Sequence, residues 1–288
     1  PPSSLQSPLI PPSNIAVLYA SVMGLSVGAL FLAGFIPGVM LGVSQCLYIF
    51  AVRDKKNFPP SRSKYTAKEV ISIIGHGIIT MGMPLIIIGG VLGGWFTATE
   101  SANIACVYSL ILGFAVYRNY HVKDFLSALE GIAHQMANIF LIISFASVFA
   151  WIMGRERIPE QIAEVLLSIS SNKYVLLLMI NLFLLVVGMF MDTGAAIILF
   201  APILAPIVYE VGVHPVHFAI IMLLNLTLGL LTPPVGVVLY SAATVGGLRI
   251  EGVIKALVPF LIISFIVMAL VTVVPGFVLT LPQLAGFL

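Results

Sequence analysis

Two short stretches of this chain hold the residue types from which a cation site can be built. Leu231-Thr232-Pro233-Pro234 places a hydroxyl beside two consecutive residues that lack an amide hydrogen. Proline disrupts the bond to the carbonyl one turn back, so oxygens preceding Pro233 lose helical partners. In an apolar setting such oxygens are costly unless something satisfies them, and sodium is a hard cation suited to oxygen ligands. Asn225 and Gly229 lie one to two turns earlier on the same arm. The second stretch, Gly188-Met189-Phe190-Met191-Asp192-Thr193-Gly194, interrupts a long apolar run and contains its only acidic residue. An ionisable group at such depth is a functional candidate. Asp192 before Thr193-Gly194-Ala195 also has the chemistry of a helix N-cap, and the two roles are compatible. The candidate cation ligands are Gly188, Asp192, Thr193, Asn225, Gly229, Thr232 and Pro233.

A helix begins after each Pro-Pro break, and its unpaired amides and dipole favour an anion. The pattern occurs twice. Leu9-Ile10-Pro11-Pro12 leads to Val17-Leu18-Tyr19, Gly24 and a long apolar run with Pro37; the later break leads to Val238-Leu239-Tyr240, Gly246 and a run with Pro259. Pro12, Ser13, Val235 and Gly236 are the candidate anion contacts, with Ser13 placed to donate a hydroxyl. Paired interruptions in two halves of an apolar chain are the mark of a secondary transporter whose site lies near the bilayer midplane.

The elements that must position these residues are membrane helices. The 288 residues are 60% hydrophobic and 8% charged, with a mean hydropathy of +1.14, which leaves too little polar surface for a water-soluble domain. The net charge of +2 is unevenly spread. Arg53, Lys55, Lys56, Arg62, Lys64 and Lys68 oppose only Asp54 and Glu69, so the 53–69 loop is expected in the cytoplasm. Nucleic acid is not implied, because the loop has no interleaved aromatics and joins two apolar spans.

A bilayer crossing needs about 20 helical residues. Asn14 to Gly24 is therefore half a span, the expected second arm of a re-entrant hairpin. Gly28–Val52, Lys68–Val91, Phe96–Tyr117 and Phe125–Met153 are expected crossings, followed by a surface helix over Pro159–Ser168. Residues 174–209 are expected to form one crossing in two pieces broken around Asp192. Val216–Leu230 and Val235–Gly246 are expected to form a complete second hairpin, and Ile254–Val274 the last span. The expected segments are 1–27, second arm of the first re-entrant hairpin; 28–172, transmembrane spans with the basic loop; 173–250, broken helix and second re-entrant hairpin forming a transport domain; and 251–288, final span. The expected fold class is an all-α polytopic membrane protein with inverted repeats and re-entrant helical hairpins. The chain is expected to be a fragment whose N-terminal part is missing.

Other chemistry is less well supported. Cys46 and Cys106 lie in apolar spans without metal spacing, so buried structural thiols are expected. His121, His214 and His217 are expected in loops, and His76 and His134 near span ends; none pairs with a carboxylate at ligand spacing. In Thr97-Ala98-Thr99-Glu100, either threonine can cap a helix with Glu100 in its first turn. No catalytic residues, no cofactor and no metal other than sodium are expected.

Gly93-Gly94-Trp95-Phe96-Thr97-Ala98-Thr99-Glu100-Ser101-Ala102, Gly188-Met189-Phe190-Met191-Asp192-Thr193, Pro215-Val216-His217-Phe218 and the run from Asn225 to Leu230-Leu231-Thr232-Pro233-Pro234-Val235-Gly236 resemble the large membrane subunit of TRAP (tripartite ATP-independent periplasmic) transporters. The resemblance runs from Pro8 to the C-terminus. Thr97-Ala98-Thr99-Glu100 departs from the family's usual Thr-Pro-Thr-Glu. The resemblance implies a sodium-coupled elevator-type importer of carboxylated solutes in the bacterial inner membrane. Its implied partners are a small membrane subunit and a periplasmic solute-binding protein. It further implies one sodium site at the Asp192 segment and the Asn225–Pro233 arm, with Ser13 near the substrate carboxylate. A binding-protein-independent dicarboxylate or citrate symporter is the alternative within transport. A non-transporting scaffold or channel subunit is the alternative outside it, though no continuous polar pore stripe is found.

Overall fold

A computed structural model describes residues 2–52, 66–118, 121–157, 161–162, 164–165, 172–233, 236–247 and 249–288. Regular structure among them is helical: α1 (Asn14–Met23), α2 (Val27–Val52), α3 (Ala67–Leu92), α4 (Ala98–Ile111), α5 (Val122–Arg155), α6 (Lys173–Phe190), α7 (Thr193–Glu210), α8 (Pro215–Gly229), α9 (Val237–Gly246), α10 (Ile250–Val273) and α11 (Gly276–Leu284). A π-helical turn, Leu112–Val116, prolongs α4. Among the described residues, α2 to α7 and α10 contain the 7 segments long and apolar enough to cross a membrane. The chain is thus an all-helical polytopic membrane protein. Most of the basic loop, residues 53–65, and most of the expected surface helix lie outside the described residues.

The chain divides into two compact units, Pro1–Cys46 with Ala137–Leu288, and Leu47–Met136. In the second unit α3 packs on α4, with small residues against an aromatic: a Cβ on Gly82 would stand 2.5 Å from the Tyr108 hydroxyl. That hydroxyl donates to the Ile79 carbonyl at 2.7 Å. Thr97 caps α4, accepting from the Glu100 amide while the Glu100 carboxylate accepts from the Thr97 amide at 2.8 Å. The capping role expected of Glu100 is the one it has.

The first unit is built around α8. This helix is apolar on nearly every side, as a core helix or a membrane span is, and every residue from Val216 to Gly229 is buried. It packs against α1, α6, α7, α10 and α11. Its N-terminus corrects the expected loop position of His217. His214 caps the helix, accepting from the Val216 amide, while His217 lies inside it at 1% exposure, with Nε2 2.8 Å from the Val271 carbonyl.

The 174–209 stretch is not one crossing in two pieces. The rings of Phe183 and Phe200 meet edge to face, centroids 5.2 Å apart. Those residues are 17 positions apart in sequence, so a continuous path at 1.5 Å per residue would separate them by about 25 Å. α6 and α7 therefore double back as a helical hairpin with Met191 and Asp192 at its tip. Conversely, α9 packs against α10 and not along α8. The second Pro-Pro segment is thus a break between successive helices and not the tip of the expected hairpin.

The repetition read from sequence appears as repeated local structure. α1 and α9 are ten residues each and end on left-handed glycines, Gly24 (φ 65°) and Gly247 (φ 60°). Each is followed within three residues by a long helix containing a single proline, Pro37 in α2 and Pro259 in α10.

Both cysteines are exposed, correcting the expectation of buried thiols. The reason is physical: membrane helices are apolar on outward faces too, so an apolar neighbourhood in sequence does not imply burial within the chain.

Candidate functional site

The hairpin tip and the end of α8 meet through two glycines. A Cβ on Gly229 would lie 2.6 Å from the Cα and carbonyl carbon of Gly188, and one on Gly188 would lie 2.8 Å from the Leu226 carbonyl oxygen. Two of the expected cation residues are thus in backbone contact because neither has a side chain. Both break-bearing segments converge there, since Gly188 precedes the Asp192 break and Gly229 precedes Thr232-Pro233.

At the tip, Asp192 caps α7, its Oδ1 accepting from the Gly194 amide at 2.8 Å. Its side chain is exposed among the described residues. Thr193 is buried at 3% exposure, and its hydroxyl has no hydrogen-bond partner among the described residues. Gly194 lies against Leu18 of α1, which brings the tip to the first repeat.

After Gly229 the chain tightens. The Leu231 amide donates to the Leu228 carbonyl at 3.1 Å, and the Thr232 amide to the Gly229 carbonyl at 2.9 Å. The Thr232 hydroxyl donates to the Leu228 carbonyl at 2.8 Å, and the Val238 amide reaches back to the Leu230 carbonyl at 3.4 Å. The carbonyls of residues 228–230 are therefore not stripped of partners as expected from proline alone. Each carbonyl oxygen has two lone pairs, so ligation capacity remains. Gly236, in the left-handed region (φ 50°) and buried, opens α9. Pro234 and Val235 lie outside the described residues.

In the first repeat, Ser13 is the N-cap of α1. Its Oγ accepts from the Ala16 amide at 3.1 Å and donates to the Pro8 carbonyl at 2.6 Å. It is 2% exposed, so its donor is already committed in this conformation. Pro12 immediately precedes it, partly exposed.

One part of the polar interior was missed in the sequence. Asn225, fully buried, donates through Nδ2 to the Asn181 carbonyl at 2.9 Å and to Asn181 Oδ1 at 2.7 Å. Asn181 Nδ2 donates to Thr272 Oγ1 at 3.2 Å, and that hydroxyl donates to the Met268 carbonyl at 2.8 Å. Asn225 Oδ1 is left without a partner among the described residues. A polar side chain inside an otherwise apolar span was the available signal for Asn181, since buried amides are retained only where they are hydrogen-bonded.

The family described as "Tripartite ATP-independent periplasmic transporter, DctM component" matches residues 2–277. The chain belongs to this family of TRAP transporter large membrane subunits. The sialic acid TRAP transporter large permease protein SiaM of Vibrio cholerae is 38% identical over 98% of this chain and 66% of its own length. The C4-dicarboxylate TRAP transporter large permease protein DctM of Pseudomonas aeruginosa is 35% identical over 96% of this chain and 65% of its own. The chain thus spans just under two thirds of these relatives. They are transporter permeases and not enzymes, and a TRAP large subunit resides in the bacterial inner membrane.

Proposed function

We propose that the chain is part of the membrane-embedded subunit of a sodium-coupled secondary importer of carboxylated organic solutes, such as sialic acid or C4-dicarboxylates. It would work with a small TRAP membrane subunit and a periplasmic solute-binding protein. The observation that carries this reading is the Gly188–Gly229 contact, which joins the hairpin tip to the helix break, with unpaired oxygens on Thr193 and Asn225 in the same buried unit. Buried acceptors without donors are costly, and a cation relieves them.

In this reading sodium is held by oxygens of the Gly188–Thr193 and Asn225–Pro233 segments. The substrate carboxylate lies against the helix starts after the two Pro-Pro breaks, near Pro12-Ser13 and Val235-Gly236. Sodium would clamp the tip onto α8, and the clamped unit would move as an elevator between the two membrane faces. The two Pro-Pro repeats would be inverted about the midplane, with the α6–α7 hairpin entering as a re-entrant element.

Uptake by the intact transporter, reconstituted with its small subunit and binding protein, tests the proposal. Import should require both a sodium gradient and the binding protein. Sodium-driven uptake that ignores the binding protein would instead favour the dicarboxylate or citrate symporter. Absence of uptake with every component present would favour a scaffold.

A further inference from the structure

We infer that Asn181 and Thr272 are positioning residues that turn the Asn225 carbonyl toward a cation. The inference rests on the sodium-coupled reading above and adds two residues to it. The argument runs from α10 inward. The Met268 carbonyl can only accept, so the Thr272 hydroxyl donates its single proton there, at 2.8 Å, and faces Asn181 as an acceptor. That acceptor fixes the Asn181 side chain with Nδ2 toward Thr272, at 3.2 Å, and Oδ1 toward α8. Asn225 then meets two acceptors, Asn181 Oδ1 at 2.7 Å and the Asn181 carbonyl at 2.9 Å. Only an NH₂ group suits both, so its orientation is dictated by the network and not by choice of rotamer.

The consequence is directional. Every donor in the relay points toward Met268, and the surplus acceptor, Asn225 Oδ1, emerges at the α8 end with no partner among the described residues. Asn225 is fully buried and one turn before Gly229, the residue against which the hairpin tip rests. A buried acceptor held in one orientation is already arranged for a cation and needs little reorganisation on binding. Because α6, α8 and α10 each contribute one side chain, the relay also ties the geometry of one ligand to the hairpin arm.

The test uses the intact transporter, with sodium chloride as the probe. It reads the sodium concentration giving half-maximal uptake and, separately, sodium-dependent thermal stabilisation of the purified complex. Thr272→Val is nearly isosteric and removes the acceptor for Asn181; Thr272→Ser keeps it. Thr272→Val and Asn181→Ala should each raise the half-maximal sodium concentration about three- to tenfold, the effect of one hydrogen bond, with maximal uptake largely retained. Thr272→Ser should behave as wild type. Unchanged sodium response in both Thr272→Val and Asn181→Ala, in a transporter that depends on sodium, overturns this inference alone and leaves the relay a structural clamp or a water site. A wild-type transporter indifferent to sodium overturns both this inference and the reading on which it rests.

Discussion

Gly229→Ala is the sharpest perturbation of the contact on which the functional reading rests. The new methyl would stand 2.6 Å from two backbone atoms of Gly188 and 3.0 Å from the Leu185 carbonyl oxygen. Backbone cannot rotate aside as a side chain can, so reaching ordinary contact at 3.4 Å requires α6 and α8 to separate by about 0.8 Å, the difference of the two distances. Overpacking of this kind costs about 1–3 kcal/mol. Alanine returns about 1 kcal/mol through its better helix propensity, for a net loss of up to about 2 kcal/mol. Gly131→Ala in α5 is the control, because its Cβ meets nothing within 4 Å; only the propensity term applies and the protein should be unchanged or more stable. Thermal unfolding of the intact transporter, with and without sodium, reads both terms. Gly229→Ala should unfold earlier, and sodium should protect it less, since the tip no longer seats. If Gly229→Ala and Gly131→Ala gave the same unfolding temperatures and the same sodium protection, the close approach would have no bearing on ion binding.

Asp192→Ala should lose the α7 cap, at a cost of about 1 kcal/mol, and abolish uptake. Asp192→Asn keeps the cap and the stability but should lose most transport; full activity would leave the carboxylate a capping role only. Thr232→Val removes the hydroxyl that bonds the Leu228 carbonyl, and should weaken sodium dependence while the protein remains folded; an unaltered sodium titration of uptake would remove Thr232 from the site. Ser13→Ala should cost about 0.5–2 kcal/mol as a lost N-cap; Ser13→Tyr loses the same cap and enlarges a residue only 2% exposed, so its expected failure to import is read beside the sodium-dependent thermal stabilisation of the purified complex, which it should retain. Wild-type import by Ser13→Tyr would place the carboxylate elsewhere, against Gly236 at the second break.

Helix positions were legible because the bilayer makes apolar length diagnostic. Residues 28–52 were expected as a span, and α2 is Val27–Val52; Ile254–Val274 was expected, and α10 is Ile250–Val273. Caps were legible too, because Thr97, Asp192 and Ser13 are the residue types whose oxygens reach the first free amides. Burial was not. Cys46 sits in a segment as apolar as α8, yet it is exposed and α8 is enclosed. Hydropathy reports removal from water, and lipid satisfies it as well as protein does. The Asn181–Asn225 pairing was equally out of reach, since it depends on α6 and α8 being neighbours across 44 residues.

The exchange of hairpin and broken helix has a related cause. Reading 174–209 as one interrupted crossing and 216–246 as a hairpin brings the chain from one membrane face to the other between Tyr174 and Gly246. Reading 174–209 as the hairpin and 216–246 as the interrupted crossing does the same. Charge placement constrains only where loops emerge, so parity cannot distinguish the two assignments. What distinguishes them is packing at one level, Phe183 on Phe200 and α9 on α10. Either assignment lets the segment before the Asp192 break meet the segment before the Pro233 break. The contact that makes this close, glycine on glycine at residues 188 and 229, requires only that two segments without side chains share a depth in the membrane.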